Sequence, residues 1–258
     1  MAAPKMAVPQ MAAPKMTAPA GTTDTDAGAA GAFPAAVIFD LDGTLVDSAP
    51  DIQEALNAAF APLTVPSFDL VTAKKMIGGG VDVALQRAQT HAGLDVSKID
   101  QNALKARFMA VYLQASRAGR GLFPGAHDLL TALRRRGVRL AICTNKAQEV
   151  TNAAVTALRI GDYFEIIIGG RDGVPKKPDP TVLLEALKFM GAGPHDAVMV
   201  GDSSADAGAA KAAGLPFVAM SYGYTPHPHD LGADLVVDQL SQVPAALNAI
   251  TVAVRSES

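Results

Sequence analysis

The stretch VIFDLDGTLVDS, residues 37–48, decides how the rest of the chain is read. Three apolar residues, Val37, Ile38 and Phe39, lead into two aspartates spaced one apart, Asp40 and Asp42, and at once into Gly43 and Thr44. An apolar run that ends in acids predicts a buried parallel strand delivering carboxylates to its C-terminal edge, where open α/β sheets place their ligands. Side chains alternate along a strand, so Asp40 and Asp42 leave on the same side before Gly43 lets the chain turn. Two like charges aimed at one point repel, and the pair costs stability unless a cation, a shared proton or a reaction requires it. Taken alone, D-x-D also suits a solvated turn or a helix N-cap, so the rest of the chain has to decide.

The 258 residues can bury a sizeable core and hold one large or two modest domains. Lys+Arg number 22 against Asp+Glu 25, a net charge of −3 with no basic block, so nucleic acid is not an expected partner. No run of about 18 apolar residues is free of Gly, Pro and charge, and no membrane span is expected. The single cysteine, Cys143, cannot form an internal disulfide, which fits a reducing, cytoplasmic setting. Residues 1–34 stand apart: MAAPKM occurs at 1–6 and again at 11–16, with proline every few residues. This predicts a disordered tail with polyproline II character and no catalytic function. Its prolines interrupt any secretory signal, and it lacks the arginines of a transit peptide.

Residues 51–118 read as helices. In DIQEALNAAFAP the apolar positions Ile52, Ala55, Leu56, Ala59 and Phe60 follow helical spacing, with Asp51 early in the first turn. VDVALQRAQTHA continues the pattern, and NALKARFMAVYLQASRA puts Leu104, Phe108, Val111 and Ala115 on one side. Phe123-Pro124-Gly125 marks the return to alternation. Helix DLLTALRRRG is followed by strand VRLAICTN, helix KAQEVTNAAVTALRI, strand FEIIIG, helix TVLLEALKFMG, strand AVMVG running into acids, helix ADAGAAKAAG and strand LPFVAM. Weaker signals lie at 234–237 and 244–254. Alternating β and α with near-continuously apolar strands predicts an α/β fold, a doubly wound parallel sheet with a helical insert after its first strand.

Three further stretches carry chemistry. Strand Ala141-Ile142-Cys143 ends in Thr144-Asn145-Lys146, where a hydroxyl and free N–H groups at a strand end suit phosphate oxygens, although a threonine there is also an ordinary cap. In Val174-Pro175-Lys176-Lys177-Pro178-Asp179-Pro180, prolines on both sides restrict a loop that presents either a phosphate-facing lysine or a solvated one. Gly201-Asp202-Ser203-Ser204-Ala205-Asp206 again places acids where a strand stops.

In this order, these four stretches resemble the motifs of the haloacid-dehalogenase-like phosphohydrolases, and DLDGTLVDS is similar to their phosphoglycolate-phosphatase-like branch. The resemblance extends over residues 36–226. It implies a Rossmann-like core of residues 35–50 and 119–258, strand order 5-4-1-2-3, and a cap formed by 51–118. It also sets Asp202 beside Asp40 and Asp42, and a crevice of carboxylates offering only hard oxygen ligands suits Mg²⁺. The implied roles are Asp40 as nucleophile and Asp42 as acid and base. Mg²⁺ would lie on the Asp40 and Asp202 side chains and the Asp42 carbonyl, with Thr44 and Asp206 in support. Thr144, Asn145 and Lys177 would hold the transferring group, Lys177 being the lysine that matches the motif.

The reaction so implied is hydrolysis of a small phosphorylated metabolite through an aspartyl-phosphate, with 2-phosphoglycolate the leading substrate, in a monomer or homodimer. Alternatives are another ester (a sugar phosphate, pyridoxal phosphate or pyrophosphate), a β-phosphoglucomutase-like transfer, and a non-catalytic binding module. Dehalogenases lack the second acid and need no metal, which Asp42 and Asp202 oppose; the mutases usually carry Glu-Asp where Gly201-Asp202 stands. Phosphonate hydrolases recruit a cap lysine, whereas Lys74 and Lys75 read as solvated. Specificity is expected in the insert, where the bare amides of Gly78, Gly79 and Gly80 could take a carboxylate, with Arg87 adding charge.

Overall fold

The structure is a computed structural model describing residues 32–256, so nearly all of the repeat-bearing tail lies outside the described residues. Strand β1 (Ala36–Phe39) is buried at every position. It lies between β2 (Arg139–Ala147) and β4 (Ala197–Gly201), parallel to both. With β3 (Ile166–Gly170), β5 (Phe217–Met220) and β6 (Leu235–Val237) these make a six-stranded parallel sheet in the order β3-β2-β1-β4-β5-β6. The expected order is therefore present with β6 added at one edge. The order reverses between β1 and β4, and a crevice opens at their C-terminal ends.

Alternation along β1 feeds two cores. Val37 and Phe39 pack with Leu129, Leu130 and Leu133 of α5 (Ala126–Arg135) and with Val243, Leu247 and Ile250 of α9 (Val243–Ser256). Ala36 and Ile38 face Leu183, Ala186 and Leu187 of α7 (Thr181–Met190) and Ala209 and Ala210 of α8 (Ser204–Ala213). Both faces of the sheet are thus covered, and this is why its strands read as unbroken apolar runs. Burying one such Leu or Phe is worth about 1.5–3 kcal/mol.

The insert has its own core. Ile52, Leu56 and Phe60 of α1 (Ala49–Phe60) meet Leu104, Phe108 and Tyr112 of α4 (Gln101–Ser116), with Val81 and Leu85 of α3 (Val81–His91) alongside. Three details depart from the sequence reading. Tyr112 rather than Val111 is the buried residue on that turn of α4. A short helix, α2 (Leu70–Lys74), precedes the glycine loop. Strand β2 runs two residues past Asn145, so that Lys146 lies in the strand and α6 begins only at Gln148 (Gln148–Ala157).

Candidate active site

Asp40 follows β1 directly and is 7% exposed. Gly43 then takes φ 85°, a left-handed conformation that side chains disfavour, and a Cβ there would also collide with the Asp202 carboxylate. The turn brings the Thr44 hydroxyl within 3.3 Å of Asp202 Oδ1, to which it donates. Asp202 leaves the adjacent β4 and is held from the far side by the Tyr224 N–H at 2.7 Å. The Tyr224 hydroxyl meanwhile donates to Asp47 Oδ1 at 2.9 Å and accepts from the Ala49 N–H at 3.1 Å, in the linker that leads into the insert.

Asp206 reaches the same place through helix capping. Ser203 caps α8 by accepting the Asp206 N–H, and the Asp206 carboxylate accepts the Ser203 N–H at 3.0 Å and the Asp202 N–H at 3.2 Å. Asp40, Asp202 and Asp206 thereby offer three carboxylate oxygens within 4.8 Å of one another.

Lys177 sits among them, 4% exposed. Its ammonium donates to Asp40 Oδ1 (2.9 Å), Asp206 Oδ1 (2.6 Å) and the Cys143 carbonyl (2.6 Å). An ammonium has three protons, so all are given to protein, and Asp40 Oδ2 is the oxygen left without a hydrogen bond among the described residues. Burial lifts the Asp40 carboxyl to about 6 despite the pull of Lys177, with Asp206 and Asp42 adding to the rise. Burial, then Asp206 and Asp40, hold Asp202 well above the ordinary range. Burial alone would lower Lys177, but Asp206 and Asp40 outweigh it and raise its pKa.

Asn145 fixes the lysine loop, accepting the Lys177 N–H at 2.9 Å while its amide donates to the Lys177 carbonyl (2.9 Å) and to the Gly78 carbonyl of the insert (3.0 Å). Thr144 is buried beside the cavity, its hydroxyl oxygen accepting the Lys146 N–H at 3.3 Å. Lys176 points instead toward Asp82 of the insert, 3.8 Å away.

The Asp42 carboxylate is not part of the three-acid group. It turns to Lys146, whose ammonium donates to Asp42 Oδ1 at 2.9 Å and, in a short contact, to the Tyr112 hydroxyl. Tyr112 stands 3.4 Å from Asp42 Oδ2. Neither Lys146 nor Tyr112 was singled out from sequence. The signal for Lys146 was a lysine directly continuing an apolar strand; for Tyr112 it was a hydroxyl on the buried face of α4.

Three buried carboxylates, Asp40, Asp202 and Asp206, and the half-buried Asp42 outnumber the two buried ammoniums of Lys146 and Lys177 by two, and an oxygen-only donor set with that deficit fits a hard divalent cation. Above them lies a cavity of about 820 Å³, reached by Asp40, Asp42, Lys177 and Asp202 from the sheet and by residues 74–87 from the insert. The N–H groups of Gly78, Gly79 and Gly80 donate to no acceptor among the described residues. Arg87 does not extend freely into this space: its Nη1 donates to the carbonyls of Ile77 (2.7 Å), Met76 (3.3 Å) and Lys75 (3.5 Å), bracing the glycine loop. Cys143 lies buried behind the site, its thiol pushed up to about 12 by burial, as a small packed residue.

Other proteins share this arrangement of elements. A phosphoglycolate phosphatase of Rhodospirillum rubrum is 41% identical over 215 residues, covering 81% of this chain and 89% of that one. One from Caulobacter vibrioides is 38% identical over 213 residues, covering 82% and 90%. Among solved structures, a predicted phosphoglycolate phosphatase of Haemophilus somnus superposes with a TM-score of 0.77 at 29% identity, over 82% of this chain and 97% of that one. CbbY from Rhodobacter sphaeroides, crystallised in complex with phosphate, does so with 0.71 at 27% identity, over 81% and 96%. A family description, haloacid dehalogenase-like hydrolase, matches residues 37–220, from the second residue of β1 to the last of β5. The chain belongs to the haloacid dehalogenase-like hydrolases.

Proposed function

We propose that this chain is a Mg²⁺-dependent phosphomonoester hydrolase acting on a small anionic ester, with 2-phosphoglycolate foremost. The observation that carries the reading is Asp40: a buried carboxylate with Oδ1 held by Lys177 and Oδ2 open to the cavity. In this reading Oδ2 attacks phosphorus as the ester oxygen departs, and Asp42 gives that oxygen its proton. Asp42 then takes a proton from the water that attacks the acyl phosphate, returning Asp40 as a carboxylate and releasing inorganic phosphate. Lys177, the Thr144 hydroxyl and the Asn145 N–H surround the transferring group; Lys177 acts mainly as a fixed charge, since its protons are already shared.

The side chains of Asp40 and Asp202 and the carbonyl of Asp42 would hold Mg²⁺, with Thr44 and Asp206 keeping Asp202 in place. Bound there, the ion supplies positive charge against the phosphoryl oxygens. The need is electrostatic: at an effective dielectric of about 20 each close pair of like charges costs a few kcal/mol.

Residues 51–118 serve as a cap over the core of 35–50 and 119–258, and the free amides of Gly78–Gly80 receive the substrate's carboxylate while Arg87 braces them. The relatives named phosphoglycolate phosphatase support that substrate. A lone, buried Cys143 fits a cytoplasmic enzyme. No helix among the described residues is long and apolar enough to cross a membrane.

The test is phosphate release from phosphoglycolate, sugar phosphates, pyridoxal phosphate and pyrophosphate, with Mg²⁺ and with EDTA. Release from phosphoglycolate that EDTA abolishes, and that Asp40→Asn lacks while its circular dichroism is unchanged, is the expected result. Near-normal turnover by Asp40→Asn would overturn the assignment.

A further inference from the structure

Lys146 is the buried charge that the proposed reaction leaves without a task. Its side chain is 1% exposed, and its one ion-pair partner among the described residues is Asp42. Removing an ammonium from water is unfavourable unless a counter-charge and hydrogen bonds replace the solvent. A cation meant only to balance the acids would serve as well nearer the three-acid group, where Lys177 already stands.

Lys146 instead closes a ring of three. It donates to Asp42 Oδ1 at 2.9 Å and to the Tyr112 hydroxyl, and Tyr112, 3.4 Å from Asp42 Oδ2, turns its own proton toward the second oxygen. The three come from different parts of the chain: the turn after β1, the end of β2, and α4 of the insert. Tyr112 is 3% exposed, so the ring is sealed from that side.

We propose that Lys146 and Tyr112 are positioning residues for Asp42, fixing the carboxylate so that Oδ1 is held and Oδ2 carries the proton to and from the reaction. Because Tyr112 belongs to the insert, this acid and base is complete only where α4 lies over the end of β1. Acid–base chemistry is then tied to coverage of the site by a side chain of the insert. This rests on the role assigned to Asp42 above.

The experiment compares two esters in wild type, Tyr112→Phe and Lys146→Met. Phosphoglycolate leaves as an alkoxide and needs a proton; 2,4-dinitrophenolate leaves without one, so its release in the first turnover reads phosphorylation of Asp40 alone. A positioned general acid or base is worth about 10²–10⁴-fold. Both variants should lose at least about tenfold in kcat on phosphoglycolate, with KM within about twofold, yet keep a full-amplitude burst of dinitrophenolate at the wild-type rate. Loss of the burst along with turnover in Tyr112→Phe, or an unchanged kcat, overturns the inference. Should Lys146→Met fold poorly, Tyr112→Phe, which removes one oxygen, still decides. A wild type that releases phosphate from neither ester overturns the proposed function itself, a different result from either.

Discussion

Crowding four acids around one crevice has a cost that pH and metal should expose together. The Asp40 carboxyl lies at about 6 in the folded chain against an ordinary 3.8, chiefly because burial disfavours its charge. A carboxyl so raised binds its proton more tightly folded than unfolded, so stability falls as pH climbs from 3.8 to about 6 and stays low above that. Two units at 1.36 kcal/mol each make this about 3 kcal/mol at pH 7.5, and Asp202 shifts in the same direction. For a domain of this length a kilocalorie moves Tm by roughly 2–4 °C, so Asp40 alone amounts to about 6–12 °C.

Thermal unfolding in EDTA and in saturating Mg²⁺, at pH 5.0, 6.0 and 7.5, measures it. The Tm increment from Mg²⁺ should grow from pH 5.0 to 7.5, because protons and cation compete for the same oxygens. Asp40→Asn in EDTA should lose part of the pH-dependent fall and melt above wild type at pH 7.5. A Mg²⁺ increment that is flat, or larger at pH 5.0, refutes the reasoning.

Lys177→Met leaves Asp40 and Asp206 without their shared ammonium and should lower stability by about 3–5 kcal/mol in a urea titration in EDTA, besides abolishing turnover. Gly43→Ala meets both a left-handed φ and the Asp202 carboxylate, so calorimetric titration should show Mg²⁺ affinity reduced at least tenfold, with the far-UV spectrum retained. Arg87→Ala frees the carbonyls of Lys75, Met76 and Ile77; KM for phosphoglycolate should rise several-fold while kcat changes little, and an unchanged KM would separate the glycine loop from substrate binding.

The strands were legible because a sheet covered on both faces needs unbroken apolar runs, and acids at the ends of two of them marked the crevice. What stayed hidden depended on distant partners. Lys146 looks like the first residue of a helix, and it takes Asp42, 104 residues earlier, and Tyr112, 34 residues earlier, to make its burial in β2 tolerable. On α4 the apolar spacing points to Val111 where Tyr112 is the buried residue, because a tyrosine's hydroxyl needs a partner before it can be buried, and that partner lies in the core. Arg87 lies against the glycine loop with its charge facing carbonyls, a direction that helical spacing does not encode. The short α2 carries too few residues to show a period.

Tyr224 grips Asp202 through its amide and the Asp47–Ala49 linker through its hydroxyl. Linkage between two such contacts is reciprocal: free energy that the linker's conformation adds to cation affinity at Asp202 must return as an equal resistance of the linker to opening when the cation binds. The segment on which the insert hangs is then a gauge of occupancy, and amide exchange at Asp47 and Ala49 should slow as Mg²⁺ is added, before any substrate arrives.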